Sequence, residues 1–194
     1  MIAEFMLNEL QLKEVLEVLR SGGTILYPTD TIWGIGCDAT NPRAVEKVYR
    51  IKERLSEKSL IILVNDLDML KDYVEVVPEV AMELIASMSD PLTIIYPKAK
   101  KLPKNVTATD GSIGIRIPRH DFCQQMISAF GKPVSSTSAN ISGAPIPFSL
   151  RGVSDEIKSA VDYVADVEHQ TSTRPTPSTI IKIDSQGEIH ILRN

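Results

Sequence analysis

The chain has 194 residues, 43% of them hydrophobic, and a formal net charge of -4. That length suits one domain that buries its own core without a disulfide or metal staple. The acidic balance excludes a global basic field, so any nucleic-acid contact would need a local patch.

The N-terminal stretch carries Glu4, Glu9 and Glu14 rather than a basic segment followed by an apolar one, so it does not read as a secretory signal. Leu12, Val15, Leu16 and Leu19 recur at helical spacing and predict a helix over 8–20, stopped by Gly22-Gly23. The apolar run Thr24 to Tyr27 predicts a buried strand, with Pro28-Thr29-Asp30-Thr31 as a loop at its C-terminal end. Asn41 and Pro42 supply a cap and a first turn for a helix ending near Ile51. Leu60 to Val64 predicts a second buried strand; it is the longest aliphatic run and far too short to cross a membrane. Asp66 caps a short helix and Pro78 opens another. Strands are expected at 92–96 and 113–117, with a basic irregular loop at 98–112 between them. A helix over 121–130 and a strand at 133–136 follow. Residues 141–152 hold Gly, Pro and Ser and read as a loop with the composition of a lid. Strands near 161–165, 178–183 and 188–192 close the chain, with a polar, Pro-rich mobile loop expected at 167–177. Helices alternate with strands early and strands dominate late, which predicts an α/β fold with a mixed sheet in a single domain, 1–194.

Cys37 and Cys123 lie far apart, with no CxxC or Cys/His cluster, and His120, His169 and His190 have no ligand spacing. A protein-bound structural metal is therefore not expected, and a reduced, cytoplasmic setting is. There is no P-loop, G-x-G-x-x-G or G-x-S-x-G.

Chemistry concentrates in a few segments. Lys52 and Arg54 diverge on a helix but point together in an extended segment, where two cations suit phosphates or a carboxylate. A solvated helix end is the plainer alternative. Ser135-Ser136-Thr137-Ser138-Ala139-Asn140 follows a short apolar strand and crowds small donors and acceptors at its end. Such strand ends bind ligands in α/β sheets, although the same residues suit a turn. Arg116 lies between Ile115 and Ile117, so it faces away from them, either to solvent or to grip a carboxylate. Lys98, Lys100, Lys101 and Lys104 form a basic stretch that is either a solvated loop or an RNA-facing patch.

In order, these segments are Tyr27-Pro28-Thr29-Asp30-Thr31, Lys52-x-Arg54, Pro91-Leu92-Thr93, Arg116-x-Pro118, Ser138-x-Asn140, Pro177-Ser178-Thr179 and Leu192-Arg193. Together, from about Leu7 to Arg193, they resemble the YrdC/TsaC family of threonylcarbamoyl-adenylate synthases. The resemblance implies a YrdC-like twisted mixed sheet with flanking helices and a concave, positively charged face. It implies that ATP, L-threonine and bicarbonate give threonylcarbamoyl-AMP and pyrophosphate, with Mg2+ accompanying ATP and no membrane involved. Partner proteins would then carry the group to tRNA. By position, Lys52 and Arg54 would be catalytic. Arg54, Lys58, Ser112, Ser136, Ser138, Asn140 and Arg193 would bind ATP, and Thr31, Arg116 and Ser178 would bind threonine. Leu55, Leu63, Asp90 and Ile146 depart from residues common in the family. The competing expectation is a module of the same fold that binds double-stranded RNA or tRNA without adenylate chemistry.

Overall fold

The computed structural model describes residues 9–54, 59–166, 176–184 and 186–194. Its first elements are α1 (Glu9–Arg20), β1 (Thr24–Tyr27), β2 (Gly34–Cys37), α2 (Pro42–Ile51) and β3 (Ile61–Leu63). Then come α3 (Leu67–Tyr73), α4 (Glu79–Ser87), β4 (Leu92–Tyr96), β5 (Ile113–Arg116), α5 (Asp121–Phe130) and β6 (Val134–Ser138). A 3-10 turn at Leu150–Gly152, α6 (Asp155–Ala160), β7 (Tyr163–Val164), β8 (Thr179–Ile183) and β9 (Ile189–Arg193) complete the chain.

Local chemistry sets the helix ends. Asn41 Oδ1 accepts from the backbone N–H groups of Arg43 and Ala44, two of the orphan donors of α2. Asp66 and Ser154 cap α3 and α6 in the same way, through Met69 and Ile157. At its other end α2 closes with two bonds, Arg54 N to Tyr49 O and Glu53 N to Arg50 O. These are the paired bonds of a Schellman turn, whose left-handed position is filled by Glu53 at φ 48 rather than by glycine.

All nine strands join one mixed sheet in the order β7-β1-β2-β6-β3-β5-β4-β8-β9. The β1–β7, β3–β5 and β4–β8 pairs are parallel and the others antiparallel. The central strands are buried on both faces, as continuous aliphatic runs predict. Ile62, Ile94, Tyr96, Ile113 and Ile115 belong to the core, together with the buried faces of α1, α2 and α5. By strand alternation, Ile61, Thr93, Ile95, Gly114 and Arg116 project from the opposite face.

The structure adds β2 and α6 to the expected elements. β2 carries Gly34 and Gly36, which disfavour a strand. Its neighbours explain it: a Cβ on Gly36 would lie 2.1 Å from Ser135 O and 2.9 Å from Tyr27 Cε1, so only glycine lets β2 lie this close to β6. The other is α6, a six-residue helix after Ser154. The expected loop at 98–112 is irregular apart from an isolated bridge between Val74 and Ala99. The expected loop at 167–177 lies outside the described residues except for its last two, as does Lys58. Among the described residues no helix is long and apolar enough to cross a membrane.

Candidate active site

A cleft of about 430 Å3 opens over the non-core face of the sheet. Register builds its floor: Lys182 lies beside Ile95, Ile95 beside Gly114, Gly114 beside Ile61, and Ile61 beside Ser136. Gly114 keeps this floor low, since a Cβ there would sit 3.0 Å from Ile61 Cγ2. Of the predicted residues, Thr31, Arg54, Ser112, Arg116, Ser136, Ser138, Ser178 and Arg193 line this one cleft.

Arg116 is the best-held cation in it. The side chain is 4% exposed. Nη1 donates to Thr31 Oγ1 at 3.0 Å, and Nη2 lies 3.5 Å from Asp30 Oδ1. Asp30 is held from behind, its Oδ2 accepting from Arg119 N at 3.1 Å. Thr31 is fixed in turn by Thr29, whose Oγ1 accepts from Thr31 N. Arg116 Nε is buried with no hydrogen-bond partner among the described residues. A buried guanidinium with an unsatisfied Nε–H and a loosely engaged Nη2 presents the edge that a carboxylate binds in bidentate fashion.

Ser178 stands nearby. Its hydroxyl is 2.8 Å from Thr93 Oγ1, and its carbonyl accepts from Nε and Nη2 of Arg193 at 3.0 and 2.8 Å. Burial, then the charge of Arg116, lowers the Arg193 pKa. At another edge Arg54 reaches Ser59 O at 2.9 Å and Thr137 Oγ1 at 3.5 Å.

Lys52 and Asn140 do not line the cleft. Lys52 is the αR cap of α2 and not part of an extended segment, so it diverges from Arg54. Its Nζ turns inward and donates to the carbonyls of Ser138 and Asn140, the latter at 2.6 Å. Burial, with the neighbouring Arg54 charge adding to it, pulls the Lys52 pKa down to about 8. Asn140 Nδ2 donates to Ile141 O and Ala144 O, at 3.1 and 2.6 Å. The pair therefore forms a buried post that fixes the chain leaving β6, and Ser138 with it.

Two of the four departures noted in sequence lie at the cleft or beside it. Leu63 pairs with Arg116 in register and is fully buried, while Ile146 lines the cleft. Asp30 lies in a segment marked in the sequence but carries no predicted role there, Asp110 carries no sequence signal, and Lys182 carries only that of strand alternation. Asp110 Oδ1 accepts from Ser112 N and Oγ, at 2.9 and 2.6 Å. No Asp or Glu is among the described lining residues. Asp184, Glu188 and His190 cluster on the β8–β9 hairpin and are not among the residues lining the cleft. There Asp184 is taken up by the Gln186 and Glu188 amides and the His190 ring. The basic stretch is partly neutralised, Lys98 pairing with Glu75 and Lys101 with Asp72.

A family model for the Sua5/YciO/YrdC domain, described as telomere recombination, matches residues 17–194. A threonylcarbamoyl-AMP synthase of Vibrio parahaemolyticus is 36% identical over 87% of this chain and 91% of its own. One from Xanthomonas euvesicatoria is 33% identical over 88% and 93%. Among solved structures, P. abyssi Sua5 complexed with L-threonine superposes with a TM-score of 0.88 at 27% identity. The match covers 97% of this chain and 55% of that longer one. E. coli YciO matches at a TM-score of 0.80 and 25% identity, over 98% and 91% of the two chains.

Proposed function

The chain belongs to the Sua5/YciO/YrdC family, and on that premise we propose that it is a threonylcarbamoyl-AMP synthase. ATP, L-threonine and bicarbonate give threonylcarbamoyl-AMP, pyrophosphate and water. The threonine amine takes up the carboxyl group, and an oxygen of the resulting carbamate attacks the α-phosphate as pyrophosphate leaves. The product serves tRNA threonylcarbamoyladenosine formation with partner proteins.

The observation that carries this reading is Arg116, a buried guanidinium in the cleft lining whose Nε has no partner among the described residues. It grips the threonine carboxylate, with Thr31 holding its Nη1 and Ser178 beside the amino acid. Arg54, Ser112, Ser136, Ser138 and Arg193 face the nucleotide. Lys52 and Asn140 serve it by fixing the segment that carries Ser138. Lys58 completes the nucleotide set by position in the sequence alone. These groups bind, orient and neutralise, and the reaction asks for little proton transfer from the protein. Mg2+ enters on the ATP phosphates, since the described lining offers hydroxyls and carbonyls but no carboxylate to hold it independently.

The RNA-binding alternative draws no support from the basic stretch, two of whose lysines are already paired. The test is pyrophosphate release from purified protein with ATP and Mg2+. Release that requires both L-threonine and bicarbonate, and falls by two orders of magnitude or more in Arg116→Ala, is expected (~10²-fold or more). Release that ignores threonine would sink the proposal.

A further inference from the structure

The four cations among the described residues that line the cleft are held very differently. Arg116 is buried against Thr31 and Asp30, Arg193 donates twice to one carbonyl, and Arg54 bridges Ser59 and Thr137. Lys182 is bound only loosely: its side chain is 37% exposed, and Asp110 Oδ2 lies 3.3 Å from its Nζ. An exposed pair of this kind contributes little to folding. Yet strand alternation sets Lys182 on the cleft face, in the same row as Ile95 and Gly114. The other oxygen of Asp110 accepts both the N–H and the hydroxyl of Ser112. One carboxylate thus parks a hydroxyl and an ammonium side by side at one end of the cleft.

We propose that Lys182 is a further nucleotide-positioning residue: it leaves Asp110 and contacts the phosphate oxygens of ATP beside Ser112. The inference rests on the reading of Ser112 as part of the nucleotide site. An ammonium on a flexible stem acts as a mobile point charge, and with a neighbouring hydroxyl it suits anionic oxygens. Arg116 already serves the amino-acid carboxylate, so the triphosphate is the anion left to this end.

Calorimetric titration of the whole chain with ATP, adenosine and L-threonine tests this. Lys182→Met should weaken ATP binding about five- to tenfold while adenosine and threonine stay within about twofold. Lys182→Arg should keep ATP within about threefold of wild type. Lys182→Gln is the second neutral variant should the methionine variant melt early. ATP affinity unchanged in both neutral variants, or adenosine weakened as much as ATP, overturns the inference. Wild-type protein that binds no ATP overturns the nucleotide reading itself, whereas bound ATP indifferent to Lys182 removes only the role given to this lysine.

Discussion

Replacing Lys52 by methionine separates a buried post from a group that touches substrate. Lys52 is 2% exposed and spends its ammonium on Ser138 and Asn140 carbonyls. Lys52→Met keeps most of the stem and removes the ammonium donor from Asn140 O, while Ser138 O keeps the Asn140 N–H at 3.0 Å. At about 1–3 kcal/mol for an unsatisfied acceptor, and some relief from the lost desolvation, a net loss of about 1–2 kcal/mol at pH 7 is expected. A pH signature accompanies it. The pKa falls from 10.5 to about 8 on folding, so between those values the unfolded chain binds the proton and the folded chain does not. Wild-type stability from this group therefore rises with pH across that window, by about 3 kcal/mol. The methionine variant lacks this rise, so the gap between the two widens from pH 8 toward 10.5. Urea unfolding followed by Trp33 fluorescence reads this directly. Trp33 is 2% exposed, and its carbonyl accepts from Ala139 N in the same segment. A gap that is constant or narrows with pH refutes the titration argument. Full stability with pyrophosphate release abolished refutes the post, and would make Lys52 a substrate contact instead.

Three further substitutions probe the scaffold around the cleft. Gly36→Ala sets a methyl 2.1 Å from Ser135 O and should destabilise by about 3 kcal/mol in urea melts, as overpacking between two paired strands does; a loss under about 1 kcal/mol contradicts the close approach of β2 and β6. Asp30→Asn removes the carboxylate facing Arg116, and an uncompensated buried cation should lower stability by about 3–5 kcal/mol. An unchanged melting curve would mean that Arg116 needs no internal counter-charge. Glu53→Gly relieves a left-handed residue at φ 48 and should raise stability by about 0.5–1 kcal/mol once the extra freedom of unfolded glycine is subtracted; a destabilised variant would show that the exposed Glu53 side chain contributes more than its backbone strain.

The sequence disclosed most of the architecture because its signals were local. Asn41-Pro42, Asp66 and the aliphatic runs at 24–27, 60–64 and 113–117 each contain their own explanation, and the helices and strands stand where those signals put them. The cap of α6 is equally local, Ser154 followed by two acids. β2 was not legible in that way. Gly34-Ile35-Gly36 looks like a turn until Ser135 is seen to press against it, and Ser135 is about a hundred residues away.

The cleft divides along the same line. Arg116 is singled out by strand alternation and Ser138 by its place at a strand end, whereas Ser178, just before β8, is marked only by the family resemblance. Lys182 obeyed that alternation as well, but a lysine in a late strand reads as a solvent-facing charge until register brings it level with Gly114. For Lys52 the sequence leaves two geometries open, a helix end and an extended segment, and the helix end is the one that forms. An extended Lys-x-Arg would aim both cations at one anion. The Schellman turn sends the chain through Glu53 in the left-handed region instead, and so Lys52 points into the protein while Arg54 remains at the cleft. Two residues apart in sequence, they take different places: one is buried against the segment that carries Ser138, and the other lines the cleft together with Ser138. The divergence rests on one backbone angle at residue 53, which no pattern of side-chain types announces.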